Sequence, residues 1–298
     1  MRSAIVHIGA GDLELGLVPE LGGSVAYLRL KRGDRSIDLL RRLSEADRAA
    51  GDVLGVAMFP MVPYANCIEG NVFEFDGHGY HVEPNLPPYK FNFHGSGWQL
   101  PWTVAETGAD RATLTLKDDH PSRPHRYAAA QQFVVDRERL VVTTTVTNIG
   151  LRRMPFGFGQ HPWFPRRERT LVRFAARRFW IESPDISALE AITIPPELDF
   201  ASLRSPPAVR RNNCYEGWSG GLEVSWPDEA IELRVTAEPV FRHLMVYFPA
   251  APSAVFCLEP QTNLISAFTR ADVENGGTII LEPGQSASGA ITFSPYEP

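Results

Sequence analysis

Cysteine is scarce in this chain, and its pattern excludes several kinds of protein. The 298 residues hold three cysteines, Cys67, Cys214 and Cys257, odd in number, far apart and without a CxxC pair. That argues against a disulfide framework and a structural zinc site, and fits reduced thiols in a reducing compartment. Long apolar runs are missing too. Nothing approaches the ~20 residues of a membrane span, and the opening MRSAIVHIGAGDLELGLVPE lacks the apolar stretch of a secretory signal. Positive charge is also in short supply. Twenty-nine Lys and Arg against 35 Asp and Glu leave a formal charge of -6, with only small basic pairs such as Arg41-Arg42 and Arg166-Arg167. A nucleic-acid or anionic-membrane partner calls for basic patches and is not expected. What remains is a soluble cytoplasmic protein.

Helical patterning is thin as well. Leu39 to Ala50 (LLRRLSEADRAA) has the composition of one helix or a turn of helix, and little else competes. The prevailing period is two. Leu13, Leu15 and Leu17 alternate with Glu14, Gly16 and Val18, and ATLTL (112–116), LVVTTTVT (140–147) and IELRVT (231–236) repeat the pattern. Alternation with β-branched residues marks half-buried strands. Gly, Pro, Asn and Asp clusters separate the runs, and VFEFDGHGYHV (72–82) reads as a hairpin turning at Asp76-Gly77. Residues 195–207 read as a long surface loop. The spacing predicts an all-β fold, a single large antiparallel sandwich or barrel-like body over residues 1–298.

Chemistry concentrates in three short segments: FHGSGWQLPW (93–102), FGFGQHPWFP (156–165) and CLEPQTN (257–263). They bring two histidines, His94 and His161, and one carboxylate, Glu259, into settings rich in Gly, Pro and aromatics. An imidazole that exchanges a proton near neutral pH, a carboxylate base and tryptophans to lie against a sugar ring suit acid–base chemistry on a carbohydrate. Trp98, Trp102 and Trp163 are the candidates for the apolar wall. Three ligands of this kind could also hold zinc, but His94, His161 and Glu259 show no HxH or HxxxH pairing, so no metal is expected. His78, His81, His120, His125 and His243 read as surface or turn residues.

Taken with LVPELGGSVAYLRL (17–30), PYANCIEG (63–70), NNCYEGWSGG (212–221) and LEPGQS (281–286), these segments stand in a recognisable order. The chain resembles the aldose 1-epimerases, the galactose mutarotase family, over nearly its whole length. The resemblance implies a β-supersandwich and a cofactor-free isomerase that interconverts the α and β anomers of a monosaccharide, as monomer or homodimer. It implies Glu259 as general base, His161 as general acid, His94 as a second histidine that binds and polarises the sugar, and Asn66 as a substrate-binding residue. A near-neutral pKa for His161 and partial burial of Glu259 would suit those roles.

The chain departs from the family pattern at three places. Cys67 stands where an arginine usually follows Asn66, and a thiol is a poor donor beside a forked guanidinium. Asn212 stands where an aspartate binds hydroxyls, and Asn263 replaces a frequent histidine. Retained proton-transfer residues with an altered hydroxyl-binding shell, Cys67, Asn212 and Trp163 among it, point to a less common sugar. A non-catalytic carbohydrate-binding relative is one alternative. A mutarotase for a sugar phosphate, with Arg126, Arg211 and Arg242 as available cations, is another.

Overall fold

Alternating sequences build two large antiparallel sheets. The computed structural model describes residues 4–185, 187–269 and 276–298. An eight-stranded sheet runs Thr103–Thr107, Arg111–Asp118, Tyr127–Val135, Leu140–Asn148, Ser286–Tyr296, Ile231–Ala237, Gly221–Trp226 and Leu171–Phe174. An eleven-stranded sheet runs Val6–Ala10, Leu13–Val18, Ser24–Arg32, Met58–Met61, Gly159–Pro165, Val255–Gln261, His243–Phe248, Arg211–Glu216, Arg178–Glu182 and Ala188–Ile192, with Arg35–Asp38 branching from Ser24–Arg32. The all-β expectation holds, and so does the hairpin, in which Val72–Phe75 pairs with His78–His81. The only α-helix among the described residues is Glu45–Ala50, capped by Ser44, whose side chain accepts from the Asp47 backbone N–H. It is shorter than the composition of 39–50 allows, because Leu39, Leu40 and Leu43 are buried in the body instead. The loop of residues 195–207 is pinned inward by Leu198 and Phe200.

Both sheets face one core. Phe133, Leu140, Val142, Val224 and Phe293 from the smaller sheet meet Leu15, Leu28, Phe164, Leu244 and Leu258 from the larger. Each such side chain, fully buried, contributes about 1.5–3 kcal/mol. Polar residues cross the interface as well. Gln160 donates to Gln131 and Thr144 at 3.0 Å each, and Gln131 donates to the Gly23 carbonyl.

Successive side chains of a strand point to opposite faces. In the middle of the larger sheet Phe164, Leu244, Val246, Phe256 and Leu258 therefore take the core side. His161, Trp163, Met245, Tyr247, Cys257, Glu259 and Gln261 stand on the other side, under loops from residues 62–67, 91–98 and 262–266. These central strands are buried on both faces: Val255–Gln261 is covered from Phe256 onward. The second buried face is where the three sequence segments converge.

Candidate active site

Register explains how Glu259 and His161 meet. Gly159 pairs with Gln261 and Trp163 with Cys257, so His161 falls opposite Glu259 on the adjoining strand. The His161 Nε2 lies 3.2 Å from the Glu259 Oε1. The imidazole packs against two aromatic rings, tilted against Phe59 at 4.4 Å and stacked on Trp163 at 5.2 Å. The stack continues at both ends. Trp98 lies parallel to Phe59 at 5.2 Å, and the Arg41 guanidinium sits 4.3 Å over Trp163. These pairwise contacts hold the plane of His161 before any substrate arrives.

His94 comes from a different kind of support, a strained loop. Both His94 and Asn66 have φ of 59°, in the left-handed region that non-glycine residues avoid. Reciprocal bonds hold them there: the His94 N–H donates to the Asn66 carbonyl at 2.8 Å, and the Asn66 N–H donates to His94 Nδ1 at 2.9 Å. The next residue, Gly95, has φ of 64°, and a Cβ there would meet Pro63 Cδ at 2.3 Å. Because Nδ1 accepts from a backbone amide, the neutral ring carries its proton on Nε2. His94 is therefore a fixed donor. Its ring stands perpendicular to that of His161, centroids 5.5 Å apart.

Burial sets the charges. It pushes Glu259 well above the ordinary carboxylate range and His161 well below the ordinary imidazole range, with the neighbouring His94 lowering His161 further. His94 is pushed down to about 3 by the same loss of solvent. A near-neutral His161 is thus not found; its burial, only 8% exposed, is the reason. Glu259 is wholly rather than partly buried. Both shifts work against the charged forms, so burial favours a neutral pair, with its proton on the carboxyl, over an ion pair at this contact. Moving that proton to His161 yields the carboxylate base and imidazolium acid without changing the proton count.

Comparison with known proteins bears on this arrangement. The family model described as aldose 1-epimerase matches residues 6–294. The chain belongs to the aldose 1-epimerase family. It is 32% identical over 253 residues to the uncharacterized protein YphB of Escherichia coli (strain K12), covering 83% of this chain and 86% of that one. A crystal structure of a candidate aldose 1-epimerase from Escherichia coli K12 superposes with a TM-score of 0.90 at 28% identity, over 99% of both chains. A galactose mutarotase-like protein from Clostridium acetobutylicum shares the fold with a TM-score of 0.85 at 17% identity, over 99% of this chain and 95% of that one.

Within this family frame the departures acquire structural reasons. Cys67 packs in an apolar cluster with Phe93, Trp180, Cys214, Met245, Leu264 and Ile265. Met245 is the direct cross-strand neighbour of Glu259, so this wall begins beside the acid–base pair. All three cysteines are free and buried, and burial pushes the Cys67 and Cys214 thiols up to about 12. Asn263 is structural: it accepts from the Ala65 N–H and donates to the Ala65 carbonyl, both at 3.0 Å, fixing the backbone just before Asn66. The Asn66 side chain is engaged too, its Oδ1 accepting from the Cys67 N–H at 2.9 Å. Asn212 stays at the rim and donates to Glu182 Oε1 at 2.7 Å. Trp98 and Trp102 are buried and donate to the Phe93 and Gly97 carbonyls, Trp98 also packing against Phe59 and His94, while Trp163 stacks directly on His161.

Two histidines are misplaced by the sequence reading. His125 and His243 are buried, not surface residues. His125 is boxed by Tyr64, Phe73, Phe156 and Phe268 and donates to the Pro155 carbonyl at 2.8 Å. His243 opens the buried strand of Met245. Burial pushes His125 to about 4 and His243 to about 3. Nor do two of the three arginines named for a phosphate fall at the rim. Arg211 alternates with Asn212 and so leaves the opposite face, and Arg126 leads into a strand of the smaller sheet. A cation that does stand at the rim is Arg210, bonded through both terminal nitrogens to Glu182 at 2.6 and 2.7 Å.

A metal would find a different donor set from the one the sequence offers. Cys257 replaces His94: donor atoms of His161, Cys257 and Glu259 lie within 4.8 Å of one another. A tetrahedral zinc with bonds of roughly 2.0–2.3 Å needs its donors closer together. Binding would also have to strip protons that burial holds on Glu259 and on Cys257, whose thiol is pushed well up.

Proposed function

We propose that this protein is a mutarotase, interconverting the α and β anomers of a free aldose. The observation that carries the reading is the 3.2 Å approach of His161 to Glu259 beneath His94 on the buried sheet face. The anomeric hydroxyl and the ring oxygen are bonded to the same carbon. An acid and a base that serve both must therefore be near neighbours, and this pair is.

Glu259, as carboxylate, takes the proton of the anomeric hydroxyl while His161 delivers one to the ring oxygen. The C1–O5 bond breaks and a free aldehyde forms. His94, a fixed Nε2–H donor, steadies the developing charge on a sugar oxygen. Rotation about C1–C2 presents the other carbonyl face, and the two groups close the ring with roles reversed. The pair ends in the protonation state it began in, and no step calls for a cofactor. Each positioned transfer typically contributes about 10²–10⁴-fold. Residues 1–298 act in this reading as one sugar-binding unit in the cytoplasm, where three free thiols persist.

The test is anomer equilibration, followed by polarimetry or NMR, over hexoses, pentoses and deoxysugars. Acceleration that disappears in Glu259→Gln and in His161→Asn supports the reading; no acceleration with any sugar ends it. A non-catalytic sugar-binding protein is the second reading, favoured by the apolar wall at Cys67. It predicts saturable binding with no faster equilibration. A sugar-phosphate substrate is less favoured, because Arg210 at the rim is already neutralised by Glu182 and Arg41 over Trp163 is tied to the Val56 carbonyl.

A further inference from the structure

The polar groups missing beside Asn66 and at Asn212 have counterparts at the rim. Asn212 pairs with Tyr247, and Tyr247 with Cys257, in neighbouring strands. Asn212 thus lies two strands and two residues from Glu259, about 10 Å across the sheet and about 7 Å along it. Side chains reaching in from both ends leave between them the span of one sugar ring. At the outer end, Glu182 Oε1 accepts from both Arg210 and Asn212, and Glu182 Oε2 accepts from Arg210 alone. Aromatic rings line the way inward. The Arg210 guanidinium is 5.8 Å from the Tyr247 ring centroid, and Tyr247 meets Trp163 edge to face at 6.2 Å.

We infer that Glu182, Arg210 and Asn212 form the clamp for the sugar hydroxyls remote from C1, standing in for the arginine and aspartate that Cys67 and Asn212 displace. The inference rests on the proposed activity and names its substrate class. A carboxylate acceptor flanked by guanidinium and amide donors matches adjacent hydroxyls, each of which gives one proton and takes another. The clamp's charges cancel, so the preferred substrate is a neutral aldose with a free vicinal diol at its far end. Glu182 and Arg210 are specificity-determining residues; neither approaches the reacting carbon. The pair lies at the surface end of its strands, with the Arg210 side chain 44% and the Glu182 side chain 16% exposed, so the Tm of each variant is recorded beside its kinetics.

The experiment compares the parent with Glu182→Gln and Arg210→Gln on a neutral hexose and its 6-phosphate, recording kcat and KM separately. For the neutral sugar, KM rises about 10- to 100-fold in each variant, the weight of hydrogen bonds to charged groups, while kcat stays within a few fold. Glu182→Gln also frees the Arg210 charge and shifts preference toward the 6-phosphate, which a pair that merely ties two strands together would not do. Unchanged KM in both variants, or losses that follow the fall in Tm, overturn the clamp and leave the mutarotase reading standing. If the parent turns over no sugar, calorimetric Kd replaces KM: weaker binding in the variants keeps the clamp without the catalyst, and equal binding removes it.

Discussion

The two sheets bury their strands in different ways. Leu140–Asn148 in the smaller sheet alternates buried and half-buried residues along its whole length, and Tyr127–Val135 does nearly the same. Val255–Gln261 in the larger sheet is buried almost throughout, polar residues included. The first pattern belongs to a strand with one dry face; the second, to a strand with two. Buried polar atoms without a partner sort accordingly. His161 Nδ1, Trp163 Nε1, Gln261 Oε1 and both His243 nitrogens lie in the site-bearing strands, and among the described residues no strand of the smaller sheet contributes one. Each such atom costs about 1–3 kcal/mol. The smaller sheet is built for stability, and the larger one gives some of it up to hold reactive groups dry and still.

Substitution on each side should separate the two. Glu259→Gln and His161→Asn should each lower the rate of anomer equilibration by about 10²–10⁴-fold, and the double variant should do little worse than either single one, because the pair acts as a unit. Their Tm should hold or rise, since a buried titratable group has gone. Phe133→Ala, in the smaller sheet, should do the opposite. It should cost about 3–5 kcal/mol in denaturant unfolding, and leave kcat/KM of the folded fraction unchanged. A rate loss in Phe133→Ala without unfolding would dissolve the distinction.

Acid sharpens the comparison. His94, His125 and His243 are held neutral by burial, at about 3, 4 and 3. A depressed imidazole contributes stability that is present above its unfolded value of 6.5 and is lost as pH falls through the folded value. At pH 5 each should have withdrawn about 2 kcal/mol relative to neutral pH. Glu259 acts with the opposite sign. Its pKa is raised, so its contribution is full below about 4.5 and declines as pH rises. Chemical denaturation from pH 8 to 5 should show a steep loss toward acid, shallower in His125→Gln. Glu259→Gln should gain most over the parent at the alkaline end. Activity needs one proton on the pair, so it should stay level through neutrality and fall at both extremes.

Much of this was legible in the sequence because the reacting groups sit in short, composition-biased segments. FHG, GQHPWF and LEP each place a functional residue beside glycine or proline, and the order of these segments carried the family resemblance. The period-two runs gave the strands for the same reason: one-sided burial writes itself into alternation. His125 was misread because its cage comes from Tyr64, Phe73, Phe156 and Phe268, all remote in the chain. His243 had a local sign, the unbroken apolar run LMVYF behind it. Glu182 and Arg210 carry no motif. They meet because two strands lie side by side, and the bare sequence showed only that Cys67 and Asn212 left something to be replaced.

The smallest expected effect concerns the three thiols, which look inert in sequence yet all stand on the site-bearing side. With Cys67 and Cys214 pushed up to about 12, only about one in ten thousand of either is thiolate at pH 8. Neither should react with iodoacetamide on the timescale of an assay, whereas the urea-unfolded chain should react at all three. Modification of Cys67 in the native protein would mean that the apolar wall beside Glu259 opens on its own. A saturating sugar that slows such modification would place the opening on the path to the acid–base pair, and the second dry face would then be a closed state of the pocket, not its resting wall.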